Sequence, residues 1–260
     1  MDLLTFRNNV HSQYGEDGIL EQVFKILEIA KGACVEFGAW DGKHFSNTAN
    51  LLLNKGWGGV MIEGSSVKFG DLRKTYEGRS DVILLNRIVS FGPPDNLDSI
   101  FSTTPLAEDF DLLSIDVDGC DYHIFDSVKK YHPKVVICEF NPSIPNCIVF
   151  SQARDMALNH GSSLLALVQL AKSKSYELVC CTDCNAIFVE QRFFSKFSIE
   201  NNSIDVLHQD IRYQTWIVQF YDGTLKVAGC GRMIWHGVSI DEERIQMLPK
   251  EMRRFPDALR

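Results

Sequence analysis

Short apolar runs that alternate with helical segments constrain the fold of this chain more than any other feature of its sequence. Strands are predicted at 33–37, 59–62, 82–85, 112–115 and 135–138. Helices are predicted at 16–30, at 47–55, from 64 to about 76, at 122–130 and at 163–173. Because the strands are apolar along their length, they predict a parallel α/β sheet with both faces covered by helices.

Two further strands close this series, and the connection between them decides how they pair. They are predicted at 176–181 and 186–190, joined by residues 182–185. A connection this short cannot cross over to a parallel neighbour, so the two strands should pair antiparallel. A mostly parallel sheet with a terminal antiparallel hairpin is typical of the Rossmann-like class I methyltransferase fold, whereas the dinucleotide-binding version is normally all parallel.

The C-terminal section has a different pattern. Asp222-Gly223 stands between two β-rich runs, 216–220 and 224–228, and therefore predicts a hairpin. Pro249 and Pro256 indicate an irregular tail. A length of 260 residues is compatible with one elaborated α/β domain. We predict that domain at 1–193, including an N-terminal helix, with a small β appendage at 194–260 packed on it.

Composition argues against several classes of function. The formal net charge is −8, whereas a nucleic-acid-binding protein needs a basic face. No apolar run approaches the roughly 20 residues of a membrane span, and no secretory signal precedes the first helix. The eight cysteines are scattered, so we expect reduced thiols in a cytoplasmic protein. Cys181 and Cys184 have the spacing of half a zinc site, but no second pair follows.

The loop after the first predicted strand is rich in glycine. Glu36, Gly38 and Gly42 form an E-x-G-x-x-x-G pattern, in which Gly38 lets the backbone approach a ligand closely. The third glycine of the dinucleotide fingerprint is absent. The pattern therefore suits a ligand without phosphates, such as the methionine portion of S-adenosylmethionine. A glycine-rich turn in any α/β protein is the alternative.

An acidic residue, Glu63, ends the second predicted strand. In Rossmann-like sites an acidic residue at this place hydrogen-bonds the ribose hydroxyls of the adenosine. Its two oxygens can accept from two vicinal hydroxyls. A glutamate at a strand end is usually a solvated charge, but its spacing from Gly38 favours ribose binding.

Polar residues also follow the fourth and fifth predicted strands. They are Asp116, Asp118, Asp121, Glu139 and Asn141. Ligands of open α/β sheets bind beyond the carboxyl ends of the strands, so these side chains should face one cleft. All offer the hard oxygen ligands that Mg²⁺ or another divalent metal prefers. Alternatively, they bind the cofactor's amino group, cap the next helix or orient the substrate by hydrogen bonds.

Two weaker signals point to other chemistry. Asp116-Val117-Asp118-Gly119 matches the start of the haloacid-dehalogenase phosphatase signature, but Cys120 replaces its Thr and the motif lies on the fourth strand. We interpret this match as accidental. His44 and His123 are candidate bases, although surface or helix-cap histidines are commoner at such positions.

Several motifs together resemble the FkbM-like methyltransferases. The matching runs are Ser12-Gln13-Tyr14-Gly15-Glu16-Asp17, Val35 to Gly42, Ser46-Asn47-Thr48, Gly56 to Glu63, Ile115 to Gly119 and Pro133 to Val136. The combination is specific, although each piece alone is not. Asp118 and Asp121 depart from the pattern, since many members carry Glu there.

The resemblance implies an S-adenosylmethionine-dependent enzyme that methylates an oxygen, commonly on a sugar or other specialised metabolite. The residues predicted to contact the cofactor are Gln13, Glu36, Gly38, Asp41, Gly42, Ser46, Asn47, Glu63, Asn86 and Asp116. Of these, the loop residues Gly38, Asp41 and Gly42 would line the methionine end. Asn86, with Arg87, would lie near the adenine, and Ser12, Gln13 and Asp17 would close over the site.

Catalysis is assigned to Asp116, Glu139 and Asn141. Methyl transfer requires that donor and acceptor are aligned and that the acceptor's proton is removed or polarised. These three residues would act either through a divalent metal that they bind or as a direct base. Their placement also resembles the metal site of catechol O-methyltransferases at the level of architecture.

The rival class is a catalytically silent module that binds S-adenosylmethionine or a sugar and acts through partners. The polar cluster at 116–121 argues against it, because binding alone does not need that cluster. The expected partner is a small-molecule acceptor, contacted by residues 141–160 and by Arg232, Trp235 and His236. We expect neither nucleic acid nor membrane as a partner, and a homo-oligomer is compatible with the sequence.

Overall fold

Seven strands form one sheet in the computed structural model, which describes residues 1–234 and 236–253. They are β1 Ala33–Phe37, β2 Gly58–Ile62, β3 Val82–Leu85, β4 Leu112–Ile115, β5 Val135–Glu139, β6 Tyr176–Cys181 and β7 Asn185–Glu190. Their order is β3-β2-β1-β4-β5-β7-β6. Strands β1 to β5 pair parallel, and β7 pairs antiparallel with both β5 and β6. This confirms the predicted Rossmann-like methyltransferase fold.

Helices connect the parallel strands. They are α1 Glu16–Ile26, α2 Ala49–Asn54, α3 Ser66–Thr75, α4 Leu97–Phe101, α5 Asp121–Ser127, α6 Leu164–Ser173 and α7 Ile204–Leu207. The first helix ends four residues before its predicted end, because Glu28 adopts a left-handed φ of 61°. The N–H of Ile29 then bonds back to the carbonyl of Phe24, which closes the helix. Helix α4 was not predicted, since a helix of five residues offers too little periodicity.

Apolar side chains fill both faces of the sheet. Alternate residues of β4 show this, because Leu113 and Ile115 pack in one buried cluster and Leu112 in the other. On β5, Val136 joins the first cluster and Ile137 the second. Continuous apolar runs therefore predicted correctly that each strand is covered on both sides.

The chain divides into two compact units. The larger comprises Met1–Asn141 and Asn146–Gln209, and the smaller comprises Pro142–Pro145 with the described residues from Asp210 onward. Residues 194–209, which we predicted to belong to the appendage, are thus grouped with the larger unit. Pro256 lies outside the described residues, so the prediction of an irregular tail there stays a prediction.

Two small antiparallel hairpins form the strands of the smaller unit. The first joins β8 Thr215–Gln219 to β9 Leu225–Gly229, and the second joins β10 Arg232–Met233 to β11 Val238–Ser239. The first confirms the hairpin predicted around Asp222-Gly223. Among the described helices of the whole chain, none is long and apolar enough to span a membrane.

Candidate functional site

The carboxyl ends of four neighbouring strands place the predicted site residues along one edge of the sheet. Phe37 of β1 is level with Ile62 of β2 and with Ile115 of β4, which is level with Cys138 of β5. The residues that follow at this edge are therefore neighbours. In sheet order they are Glu63, Gly38, Asp116 and Glu139.

Gly38 brings the loop after β1 against the end of β4. Its φ is +70°, in the region that favours glycine. A Cβ added there would lie 2.8 Å from the carbonyl oxygen of Asp116. A side chain at this position would push the two strand ends apart, which explains the glycine.

Glu63 is buried and holds the same loop. Its Oε2 accepts from the N–H of Trp40 at 2.9 Å, and its Oε1 accepts from the N–H of Ser65 at 2.6 Å. Each carboxylate oxygen can accept more than one hydrogen bond. Glu63 therefore keeps acceptor capacity on both oxygens for two further donors, as a pair of ribose hydroxyls would require.

Glu36 is occupied by its own loop. Its carboxylate accepts from the hydroxyls of Ser46 and Thr48 and from the N–H of Asn47 at 3.0 Å. Burial raises the pKa of Glu36, and these hydrogen bonds act in the opposite direction. Asn47 also donates from Nδ2 to the hydroxyl of Ser114, 3.3 Å away on β4. These contacts brace the loop, and a direct role of Glu36, Ser46 and Asn47 toward a cofactor stays a prediction.

Asp41 and Gly42 lie in the same loop. Partial burial acts to raise the pKa of Asp41, but backbone hydrogen bonds from His44 and Lys43 prevail and lower it. Gly42 has a φ of +75°, and its carbonyl accepts from the hydroxyl of Tyr76 at 2.9 Å. The loop is thus held from both sides, by β2 at Glu63 and by the end of α3 at Tyr76.

Asn86, predicted near the adenine, joins the ends of β3 and β2. Its Nδ2 donates to the carbonyl of Glu63 at 2.7 Å, and its Oδ1 accepts from the hydroxyl of Ser66. Arg87 forms an ion pair with Asp95. These contacts fix the backbone beside Glu63.

The segment before α1 is ordered by buried carboxylates. Oδ2 of Asp17 accepts from the N–H groups of Val10, His11 and Ser12 at 2.7 to 2.8 Å. Gln13 itself is exposed. Oε1 of Glu21 in α1 accepts from Nδ2 of Asn50 at 2.7 Å, which joins α1 to the helix that follows the loop after β1.

Three carboxylates gather at the ends of β4 and β5. Oxygens of Asp116, Asp118 and Glu139 lie within 4.8 Å of one another, and this is the one such group of metal-ligating side chains in the part of the chain that the structure describes. Asp118 is exposed and the other two are partly buried. Burial, followed by repulsion from neighbouring carboxylates, raises the pKa of Asp116 to about 8 and the pKa of Glu139 well above its usual value.

Asn141 is the third member of the predicted catalytic set, and its catalytic role stays a prediction. Asn141 is buried, and its Nδ2 donates to the carbonyl of His160 at 2.8 Å. Asp118 lies close to Asp116 and Glu139 as well. Asp118 has a left-handed φ of 56°, which places its side chain within reach of the other two. The alternation of side chains along an extended strand does not predict this placement of Asp118. The only sequence signal for it is the Asp-Val-Asp spacing of residues 116–118.

The remaining candidates near this edge have structural partners. Asp121 accepts from the N–H groups of Val117 and Gly119, and so closes the turn into α5. Burial raises the pKa of Asp121 to about 6. His123 contacts the carbonyl of Gln152 through Nε2 at 2.8 Å. The ring of His44 packs against the ring of Phe45 in the exposed loop after β1.

The raised carboxylate pKa values predict how stability depends on pH. The pKa of an aspartate in an unfolded chain is about 3.9, whereas Asp116 and Asp121 have raised values in the folded state. The folded state therefore binds more protons between about pH 4 and pH 8, and stability falls as the pH rises through this window. Denaturant unfolding in chelator at several pH values should show this fall, and Asp116→Asn should flatten it. An unchanged slope in the variant would contradict the assignment.

Two cavities occur elsewhere in the larger unit. One of about 620 Å³ is lined by residues that include Leu3, Cys180 and Ile199, and one of about 460 Å³ by residues that include Phe24 and Trp57. None of the residues predicted to contact the cofactor lines either cavity. We place the candidate site at the sheet edge, because the glycine turn and the perturbed carboxylates converge there.

No protein-family model matches the sequence, and no curated protein matches it. Similar solved structures include the CurJ carbon methyltransferase, at 9% identity and a TM-score of 0.42, with 67% of this chain and 52% of that chain covered. The N-terminal domain of EvdMO1 with S-adenosylhomocysteine bound has 12% identity and a TM-score of 0.45, with 70% and 84% covered. An S-adenosylmethionine-dependent methyltransferase from Aquifex aeolicus has 9% identity and a TM-score of 0.39, with 65% and 87% covered. The chain spans about half the length of the CurJ structure.

Proposed function

We propose that this chain is an S-adenosylmethionine-dependent methyltransferase that acts on a hydroxyl group of a small molecule, such as a sugar or another specialised metabolite. One observation carries the proposal. A glycine turn at Gly38 separates a buried carboxylate with unused acceptor capacity, Glu63, from the carboxylate cluster of Asp116, Asp118 and Glu139. The first side suits the cofactor, and the second suits the acceptor.

The residues on the first side fit S-adenosylmethionine. Glu63 would accept from the ribose hydroxyls, and the loop of Gly38, Asp41 and Gly42 would lie along the methionine end. This loop offers backbone contact without a Cβ at Gly38. Asn86 would fix the backbone next to the adenine. When bound, the cofactor supplies an activated methyl group on a sulfonium sulfur.

The residues on the second side handle the acceptor's proton. The carboxylate cluster defined by Asp116, Asp118 and Glu139 presents only acceptor oxygens when ionised. A substrate hydroxyl would donate to it and lose its proton as the oxygen gains the methyl group. Burial, followed by repulsion from Asp121 and Asp118, raises the pKa of Asp116 to about 8, so a proton taken up there is held at neutral pH. A base whose pKa lies near the working pH is efficient.

Methyl transfer itself tests the proposal. The protein is incubated with S-adenosylmethionine labelled in its methyl group and with a panel of sugars, polyketide alcohols and phenols. We expect label in at least one acceptor, with stoichiometric release of S-adenosylhomocysteine. A protein that binds S-adenosylhomocysteine but transfers no label to any hydroxyl acceptor would favour the silent binding module.

A divalent cation at the carboxylate cluster is the second candidate, favoured by the three oxygens within 4.8 Å of one another. Carboxylate oxygens are hard ligands of the kind that Mg²⁺ and Mn²⁺ prefer. We expect Mg²⁺ to raise the melting temperature of the wild type and to have no effect on Glu139→Gln. Glu177→Gln, which changes a glutamate outside the cluster, is the control. An equal response of all three proteins to Mg²⁺ would contradict a metal at this place.

A further inference from the structure

The hairpin of β8 and β9 in the smaller unit has two outer edges, and the hydrogen-bond pattern shows which residues face them. The N–H of Phe220 bonds to the carbonyl of Thr224, and the N–H of Cys230 to the carbonyl of Gln214. Bonded and non-bonded pairs alternate in an antiparallel ladder. Trp216 and Val218 therefore bond inward to β9. The main-chain groups of Thr215, Ile217 and Gln219 point outward from β8.

The outer edge of β9 is covered by the segment that follows it. The N–H of Leu225 donates to the side chain of Gln246 at 2.9 Å, and the N–H of Val227 donates to Glu242 at 3.0 Å. Nε2 of Gln246 donates in return to the carbonyl of Leu225 at 2.7 Å. This edge therefore cannot accept another strand without displacing Glu242 and Gln246.

No described segment covers the outer edge of β8 in this way. Within the described ranges 1–234 and 236–253, no other strand pairs with it. Its five residues include no charge and no proline, the usual devices that protect an edge. Ile217 is 61% exposed and Trp216 is 42% exposed. An isolated two-stranded hairpin is only marginally stable in water, so further pairing would stabilise it.

We propose that β8 pairs antiparallel with β8 of a second copy of this chain, about a two-fold axis at Ile217. In this register Ile217 lies opposite the same residue of the second copy, and Thr215 lies opposite Gln219. The outward N–H and carbonyl groups of all three residues then become paired. The result is a four-stranded sheet that crosses the dimer.

Self-complementarity favours a second copy as the occupant. Trp216 falls opposite Val218, which is a favourable aromatic and β-branched pair, and no like charges meet. The two outer strands of the new sheet are both β9, whose edges Glu242 and Gln246 already cover. The assembly therefore closes at two copies, as an isologous interface requires. Pairing of β8 with an extended segment of another protein would not produce a closed, symmetric assembly.

The proposed register, with Ile217 opposite Ile217 of the second copy, can be tested with charged substitutions at this residue. Ile217→Lys and Ile217→Glu each place like charges opposite one another across the axis, which should raise the dimer dissociation constant by about tenfold or more. An equimolar mixture of the two variants should restore the dimer, because Lys then faces Glu. Val227→Lys is the control, since Val227 is the residue of β9 opposite Ile217 but lies away from the new interface. The readout is sedimentation equilibrium of the full chain, with circular dichroism to show that each variant is folded.

We expect the wild type and Val227→Lys to sediment at twice the chain mass of 29.5 kDa, and each Ile217 variant alone to dissociate. A monomeric wild type would overturn the proposal. Dimers that persist in Ile217→Lys would also overturn the proposal, since they would form through a different surface. Failure of the mixture to restore the dimer, with both variants folded, would overturn the register about Ile217. Capture of a different protein by a monomeric wild type would identify β8 as an edge for another partner and would equally overturn the self-pairing.

Discussion

Asp116→Asn is expected to reduce methyl transfer about 1,000-fold, while the affinity for S-adenosylhomocysteine stays within about threefold. Asparagine keeps the size of the side chain but cannot take up the acceptor's proton. It also removes one titratable carboxyl group from the cluster with Asp118 and Glu139. Gly38 and Glu63, which we propose to contact the cofactor, are unchanged, so binding should persist. Single-turnover methyl transfer and calorimetric titration separate the two effects.

The control for this variant is Asp71→Asn, at an exposed residue of α3 whose partner is Lys74. It should leave both activity and affinity unchanged. A second variant, Glu139→Gln, tests whether the cluster acts as a unit. If it does, the double variant should lose little more activity than Asp116→Asn alone. Full activity of Asp116→Asn would refute the proposed proton acceptor.

Gly38→Ala has the second largest expected effect. The added Cβ would lie 2.8 Å from the carbonyl oxygen of Asp116, and an alanine at a φ of +70° is strained in any case. Strain of this kind costs about 1–3 kcal/mol. If the loop moves to relieve it, the backbone beside Glu63 shifts as well. We therefore expect lower stability and an affinity for S-adenosylhomocysteine weakened about tenfold or more.

Gly70→Ala provides the matched control. Gly70 lies in α3, and an added Cβ there meets no atom within 4 Å. Alanine in a helix should stabilise the protein by about 0.5–1 kcal/mol, with no change in affinity. Denaturant unfolding and calorimetry give both quantities. Unaltered affinity in a folded Gly38→Ala protein would show that the turn does not contact the cofactor.

The strands were predictable because each one is a short, mostly apolar run with polar residues at or after its end. All seven observed strands of the sheet begin within one residue of the predicted positions, and β6 and β7 are antiparallel because only a short turn joins them. Helix ends were less accurate. The stop after Ile26 depends on the left-handed conformation of Glu28, and no apolar pattern encodes that conformation.

The sequence predicted which residues of the site lie near one another, but it did not predict their individual hydrogen bonds. Parallel strands end at one edge, so Gly38, Glu63 and Asp116 had to meet there. Individual hydrogen bonds depend on the path of each loop. Glu36 accepts from residues ten to twelve positions later, and Asn141 turns to the carbonyl of His160. Neither contact follows from residue type or spacing.

In the smaller unit, too, the sequence predicted local structure but not the contacts between distant residues. Asp222-Gly223 predicted its first hairpin, because that dipeptide suits a tight turn. The cover over the edge of β9 comes from Glu242 and Gln246, which are distant in sequence and carry no motif. Of the predicted acceptor-binding residues, Arg232 lies in β10, His236 lies in the turn that follows, and Trp235 lies outside the described residues. Their role toward an acceptor stays a prediction.

Calorimetric titration with S-adenosylhomocysteine, comparing the wild type with Glu63→Gln, tests the central claim most directly. Glutamine fills the same space but loses one acceptor oxygen that the ribose would use. We predict a dissociation constant of micromolar order for the wild type and an affinity about tenfold or more weaker for the variant, while Glu28→Gln at the surface binds like the wild type. No binding by the wild type, or equal binding by all three proteins, would contradict a cofactor site at Gly38 and Glu63.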